Sequence, residues 1–377
     1  MSEAPPALSF RVEAQDGAAR AGRLATPHGV VDTPAFMPVA TYGAVRSVAP
    51  DELASAGAQI LLANAYHLHE RPGEAIVAAC GGLHGFTGWR GPWLTDSGGF
   101  QVTSLAGSAR VDEDGVTFAS PVDGARRRLT PESCVATQEA LASDIAMVLD
   151  ECVPTARDAD PARARAAMDR TLRWAERARR AHRGGAQWLF GIVQGGSDAA
   201  LRRHSARRTR EVGFDGYAHG GLGLGEAASL RGELIAAANA ELPAAAPRYL
   251  MGLGRPQDLV DAIAEGVDLF DCVLPTRHAR HGVLFTSAGL LRLRNARYRD
   301  DPEPPEPGCD CSTCARYSRA YLRHLLQAGE ALAARLASLH NLRFYLRLME
   351  QSRAAIRAGR FAALQREVSA RADAVPA

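Results

Sequence analysis

Eight short apolar runs recur along this chain, each followed by a polar or glycine-rich turn and then a helix-like stretch. They are Ala35–Val39, Gln59–Ala63, Pro92–Thr95, Asp144–Leu149, Trp188–Val193, Gly216–Ala218, Arg248–Met251 and Val267–Phe270. Continuous rather than alternating apolar character predicts strands buried on both faces, as in parallel sheets. The intervening segments carry helix-start chemistry. Thr130-Pro131-Glu132 and Asp160-Pro161 each put an oxygen-bearing side chain at the N-cap and proline at the first helical position. Gly254-Arg255-Pro256 precedes a third helix-like run, Gln257–Glu265. Eight such alternations predict an α/β fold, a (β/α)8 TIM barrel.

A barrel of this kind does its chemistry at the C-terminal ends of its strands. Here those ends meet Asn64, Asp96, Asp150, Gln194, His219-Gly220-Gly221, Gly252 and Asp271. One polar residue after a strand is ordinary loop chemistry, and Asp150 or Asp271 alone reads equally as a helix N-cap. The succession points to a site.

Composition narrows the chemistry. All 44 basic side chains are arginine. Schiff-base lysine enzymes and Walker A phosphate loops are therefore excluded, and covalent catalysis must use a carboxylate, Cys, Ser, Thr, His or Tyr. A net charge of +2 confines any nucleic-acid contact to a local patch. No apolar run approaches the roughly 20 residues that span a bilayer. The first residues, MSEAPPALSFRVEAQDG, have no basic-then-apolar leader pattern, so a cytoplasmic protein without membrane contact is expected.

Of seven cysteines, Cys80, Cys134, Cys152 and Cys272 are scattered, which does not suit a disulfide framework. Cys309, Cys311 and Cys314 are clustered, and His340 follows in an apolar helix-like stretch. Three soft thiolates and an imidazole suit one tetrahedral Zn2+ per chain, in a closed structural site. The segment Asp300–Gly308 before the cluster is too proline-rich for regular helix. The implied division is a catalytic barrel with an N-terminal extension over 1–298, a zinc-binding subdomain over 299–345, and a C-terminal helix over 346–377 packing back on the barrel.

Several motifs are weak singly and specific together. They are Thr95-Asp96-Ser97-Gly98-Gly99-Phe100-Gln101, Val193-Gln194-Gly195-Gly196, Gly220-Gly221-Leu222-Gly223-Leu224-Gly225-Glu226 and Asp271-Cys272-Val273-Leu274-Pro275-Thr276-Arg277. With Tyr66-His67-Leu68, Ser120-Pro121-Val122-Asp123-Gly124 and Arg248-Tyr249-Leu250-Met251-Gly252, in this order, the chain resembles the tRNA-guanine transglycosylase, or queuine tRNA-ribosyltransferase, family from about Phe10 to Phe361.

The resemblance implies exchange of the wobble guanine in tRNAs with a GUN anticodon for a 7-deazaguanine base, on the route to queuosine. It implies Asp271 as nucleophile and Asp96 as general acid/base. It places Asp150, Gln194, Gly221, Leu222, Met251, Phe100, Ser97 and Cys152 around the base, and Arg277, Arg280 and Thr276 against the tRNA. It agrees with the zinc set and implies a homodimer. Cys152 and the overall length resemble bacterial members, which use 7-aminomethyl-7-deazaguanine. Leu224 is expected to narrow the pocket in favour of that small base, while Gly223 adds room.

The chain departs from the family at His278 and His281, usually Asn, at His219, usually hydrophobic, at Ala63-Asn64-Ala65, and at Gly223-Leu224. His278 is a candidate for pH-dependent RNA contact, whereas His219 reads equally as a packed neutral core residue. The arginine runs Arg126–Arg128, Arg202-Arg203 and Arg207-Arg208 read as solvated helix faces. Two rivals remain. One is an amidohydrolase-like metal enzyme built on His67, His69, His219 and Asp271. The other is a non-catalytic tRNA-binding partner subunit.

Overall fold

The structure, a computed structural model, describes residues 8–104, 109–155 and 160–373. The eight expected runs all form strands of one parallel sheet. The barrel strands are β1 (Ala35–Pro38), β2 (Leu61–Asn64), β3 (Trp93–Asp96), β4 (Ile145–Met147), β5 (Trp188–Val193), β6 (Gly216–His219), β7 (Arg248–Leu250) and β8 (Leu269–Cys272). Each pairs with its sequence neighbour, β8 pairs with β1, and a parallel bridge between Val39 and Leu62 brings β1 against β2, closing the ring. Phe36, Met37, Leu62, Leu94, Met147, Phe190 and Phe270 are buried, so both faces of the sheet are covered and no alternation survives in the sequence.

The helix starts follow their cap chemistry. Thr130 caps the Pro131–Leu141 helix by accepting from Ser133 N–H, and Asp160 caps Pro161–Ala181 by accepting from Ala162 N–H. The third helix runs from Pro256 to Ala264.

Three antiparallel pieces had no clear sequence signal. A meander of Ser9–Asp16, Ala19–Thr26 and Gly29–Thr33 precedes β1. A second, Arg110–Asp112, Gly115–Ala119 and Arg126–Leu129, lies between β3 and β4, and a hairpin of Val283–Thr286 and Gly289–Arg292 follows the last barrel strand. The Arg126–Arg128 run therefore belongs to a strand rather than a helix face. Two of its charges are paired, Arg127 with Glu70 and Asp123, and Arg128 with Asp112 and Asp114.

After the hairpin, the proline-rich segment contains no helix, as its composition requires. The long Ala331–Arg357 helix then packs along the barrel. Its Tyr345 lies against Phe36 of β1, and its Asn341 donates to the carbonyls of Pro275 and Val283 at 2.9 and 3.0 Å. No helix is long and apolar enough to cross a membrane among the described residues.

Candidate active site and metal centre

A cleft of about 390 Å3 opens at the C-terminal ends of the strands. Asp96, Asp150 and Asp271 all line it, together with Phe100, Cys152, Gly221, Leu222, Leu224 and Met251.

Each carboxylate is held by a neighbouring strand. The β2–β3 register sets Asn64 beside Asp96, and Asn64 Nδ2 donates to Asp96 Oδ2 at 2.9 Å. From β7, the Tyr249 hydroxyl donates to Asp271 Oδ1 at 2.6 Å, and Gly252 N–H donates to the same oxygen at 2.7 Å. From β5, Gln194 Nε2 donates to Asp150 Oδ2 at 2.6 Å. Gly221 accounts for the adjoining turn. Its φ is +68°, and a Cβ there would sit 2.5 Å from Gln194 Oε1, so a side chain would displace the amide that holds Asp150.

Burial raises the pKa of all three acids. Burial lifts Asp96 to a pKa of about 7, reinforced by the charges of Asp150 and Asp271. Burial lifts Asp150 to about 6, with the Gln194 amide pulling the other way. Asp271 is also raised by burial, while its bonds from Tyr249 and Gly252 favour the charged form. The thiol of Cys152, which lines the cleft, is pushed up by burial to about 12, as is that of Cys272 behind it, so both stay protonated at neutral pH and leave the carboxylates as the anionic nucleophiles.

Two expected base-pocket residues lie behind the wall. Gln194 is buried and reaches the cleft through Asp150, and Ser97 is buried in the turn, its hydroxyl accepting from Gly99 N–H. Thr276 is also buried, its hydroxyl donating to the Val273 carbonyl. Arg277 is exposed on the same short helix, and Arg280 is half-buried. Burial and the nearby charges of Arg46 and Arg277 lower the pKa of Arg280, which marks a concentrated basic rim. His278 stacks on Phe285 with ring centroids 5.3 Å apart, and burial lowers its pKa, reinforced by the charges of Arg277 and Arg292.

Several positioning residues were not legible as such. Arg202 is fully buried rather than solvated, and its guanidinium donates to the carbonyls of Gly196 and Gly220, tying two cleft turns together. Glu226 accepts from Gly223 and Leu224 N–H, from the Thr155 hydroxyl and from Arg231, which fixes the glycine-rich loop. His219 is a core residue. Its Nε2 meets Asn239 Oδ1 at 3.0 Å, and burial drops its pKa to about 3. His69 pairs with Glu74. Among the described residues, no group of prospective metal ligands contains His67, His69, His219 or Asp271, so the barrel mouth does not assemble the hydrolase set.

Cys309, Cys311, Cys314 and His340 do converge. Their sulfurs lie 3.9, 3.7 and 3.2 Å from His340 Nδ1, near the edge of roughly 3.6 Å of a tetrahedron with Zn–S about 2.3 Å and Zn–N about 2.0 Å. His340 Nε2 faces the Phe285 carbonyl at 2.8 Å, so the proton sits there and Nδ1 is left to bind metal. The thiols are buried, which suits a closed site.

The family model for queuine tRNA-ribosyltransferase matches residues 15–374. The queuine tRNA-ribosyltransferase of Stenotrophomonas maltophilia strain R551-3 is 52% identical over 371 residues, 98% of each chain. That of Nitrosomonas europaea is 52% identical over 362 residues, 96% of this chain and 97% of its own. That of Thioalkalivibrio sulfidiphilus is 50% identical over 370 residues, 98% of this chain and 99% of its own. Full-length agreement of this kind, on a barrel whose mouth gathers three aspartates, shows that the chain belongs to the queuine tRNA-ribosyltransferase family.

Proposed function

We propose that this chain is a tRNA-guanine transglycosylase that replaces the wobble guanine of GUN-anticodon tRNAs with 7-aminomethyl-7-deazaguanine. The observation that carries this is the convergence of Asp96, Asp150 and Asp271 in one cleft, each held by a different neighbouring strand. The target nucleotide leaves the anticodon stack and enters the cleft between Phe100 and Met251. Asp150 accepts from the ring N–H and exocyclic amine of guanine, which selects it over adenine.

The Asp271 carboxylate attacks C1′ as the bond from C1′ to guanine N9 breaks, and the departing guanine takes its proton from Asp96. The incoming base then gives its N9 proton to ionised Asp96, N9 bonds to C1′, and Asp271 is released. Arg277 and Arg280 hold the anticodon phosphates, and Thr276 supports their helix. A zinc ion on Cys309, Cys311, Cys314 and His340 is structural. The protein acts in the cytoplasm, as a homodimer.

Gly223 does not widen the pocket. A Cβ there would lie 2.8 Å from Leu253, whose side chain already fills the space. With Leu224 also lining the cleft, the smaller base is favoured. The deciding experiment is labelled-guanine exchange by the purified chain into GUN-anticodon tRNA beside a scrambled-anticodon control. Exchange confined to the first supports the reading, and no exchange, or equal exchange, opposes it.

Two further outcomes follow. Asp96 must be protonated for the first half-reaction and ionised for the second, and its pKa is raised to about 7. Adduct formation is therefore expected to slow about tenfold per pH unit above 7, and discharge by the incoming base to slow about tenfold per unit below a break that lies under 7, because the esterified Asp271 no longer adds its charge. Single-turnover measurements from pH 5.5 to 8.5 check this, and two limbs of the same sign contradict it. Tyr249→Phe removes a hydrogen bond to a charged oxygen, worth about 1.5–3 kcal/mol. Adduct formation should slow roughly 10- to 100-fold with tRNA affinity unchanged, and an unaltered rate would show that Gly252 N–H suffices.

A further inference from the structure

Behind the cleft lies a fully buried guanidinium with no carboxylate bonded to it. Arg202 belongs to the Ala199–Val212 helix. Its Nε donates to the Gly196 carbonyl at 2.8 Å, and both terminal nitrogens donate to the Gly220 carbonyl at 3.1 Å. Among the described residues no carboxylate bonds to it, and Glu226 acts on it only through space. Burial lowers its pKa to about 10, so the group is still charged at neutral pH. Withdrawing a cation from water without a bonded counter-ion is costly, and two carbonyl dipoles offset only part of that cost. Packing alone does not account for such a residue.

The two carbonyls belong to the turns that follow β5 and β6. Both turns border Asp150. Gln194 Nε2 donates to Asp150 Oδ2 at 2.6 Å, and a Cβ on Gly220 would stand 3.3 Å from that same oxygen. The Gly220–Gly221 peptide therefore lies beside the carboxylate that accepts from the ring N–H and exocyclic amine of guanine. On that edge of the base, the O6 carbonyl oxygen stands on the other side of the ring N–H from the amine. A trans peptide directs its C=O and its N–H to opposite sides. The Gly220–Gly221 bond is trans, so a guanidinium that holds the Gly220 oxygen at the back turns the Gly221 N–H to the front. There the N–H faces the sulfur of Cys152, which lines the cleft. The same helix braces the other turn, because Ser205 Oγ accepts from Gln194 N–H at 3.1 Å.

We infer, on the transglycosylase reading above, that Arg202 is a positioning residue for the departure of guanine, fixing and polarising the Gly220–Gly221 peptide so that the Gly221 N–H meets O6. As the bond from C1′ to N9 breaks, its electron pair stays with the base. The charge spreads from N9 through the ring to O6 until Asp96 gives N9 its proton. A donor already aimed at O6 needs no reorganisation when that charge appears. A cation bonded to the other end of the same peptide strengthens the donor. Arg202 itself gains and loses no proton in the step.

The test compares two wobble bases in single-turnover adduct formation by the full-length chain. One anticodon stem-loop RNA carries guanine. The other carries 6-thioguanine, which keeps the ring N–H and amine that Asp150 reads but replaces O6 by sulfur, a weak acceptor. Arg202→Gln is expected to slow the guanine reaction about 10- to 100-fold and the 6-thioguanine reaction less than about threefold, with RNA affinity unchanged. Arg202→Lys keeps the charge and can reach one carbonyl. Its guanine rate should fall between wild type and Arg202→Gln, again dropping more than its 6-thioguanine rate, and it decides the matter where Arg202→Gln fails to fold. A merely structural role would slow both bases alike. Equal slowing, or an unchanged guanine rate, overturns the role of Arg202 and leaves the transglycosylase reading intact. A wild-type chain that forms no adduct with the guanine RNA overturns that reading, and the role of Arg202 falls with it.

Discussion

Asp271→Asn is expected to abolish the denaturant-resistant protein–tRNA adduct and to lower base exchange by about 10^4-fold or more. The substitution keeps shape and polarity. An asparagine Oδ1 still accepts from the Tyr249 hydroxyl and Gly252 N–H, the two groups that hold Asp271 Oδ1. What disappears is the anionic oxygen that bonds to C1′. No neighbour replaces it. Asp96 and Asp150 stand at other strand ends, held by Asn64 and Gln194, and the Cys152 thiol that lines the cleft stays protonated. Binding of tRNA should change less than threefold, because Arg277 and Arg280 lie on the rim and not in the cleft wall. Denaturing gels with wobble-guanine tRNA, run beside a binding titration, make the measurement. Adduct formed at the wild-type level in Asp271→Asn removes Asp271 from its role. Adduct lost together with tRNA binding points instead to a collapsed cleft, which Tyr249→Phe then serves to diagnose.

The sequence revealed the barrel because strands buried on both faces must be apolar throughout, and such runs are conspicuous between capped helices. It hid the meanders because their strands do not show that signal. Ala19–Thr26 reads ARAGRLAT, a small and polar segment buried by its position against the barrel rather than by its own character. The acids were legible as polar residues at strand ends, but their partners were not. Asn64 with Asp96, Gln194 with Asp150 and Tyr249 with Asp271 are 32, 44 and 22 residues apart, and only the strand order makes them neighbours. Arg202 shows the same limit from the other side. Its helix carries the periodicity of a solvated surface, yet Gly195 and Gly196 let the chain turn closely enough for the guanidinium to be drawn inward onto two carbonyls. His219 resolves toward the plain alternative, because β6 points it at Asn239 and away from the cleft.

Cys311→Ser is expected to cost the chain its zinc and, with it, the folded C-terminal region and soluble yield. Apparent zinc affinities of structural sites correspond to about 10–16 kcal/mol, comparable with the roughly 5–15 kcal/mol by which a whole domain is stable. Apart from the metal ligands, the segment is tied down by polar contacts: Asp310 pairs with Arg343, Glu306 with Arg347, and the Thr313 hydroxyl donates to the Leu336 carbonyl. Around Cys309 the chain is a proline-rich turn, and the apolar contacts of the knuckle are largely the three cysteines themselves. The consequence reaches the barrel because His340 is followed directly by Asn341. Asn341 accepts from Phe285 N–H at 2.9 Å and donates to the Pro275 and Val283 carbonyls. Loss of the metal therefore releases the support under the Leu274–Arg280 helix that presents Arg277 and Arg280, as well as the Tyr345 hydroxyl that bonds to the Gly254 carbonyl beside the cleft. Weakened tRNA binding should accompany zinc loss even in the fraction that stays soluble. Metal content, melting temperature and tRNA affinity of Cys311→Ser, set beside Cys80→Ser at an exposed site elsewhere, make the comparison. A Cys311→Ser chain that lacks zinc yet melts and binds tRNA like the wild type would show that the cluster is dispensable, and that the long helix keeps its register by packing alone.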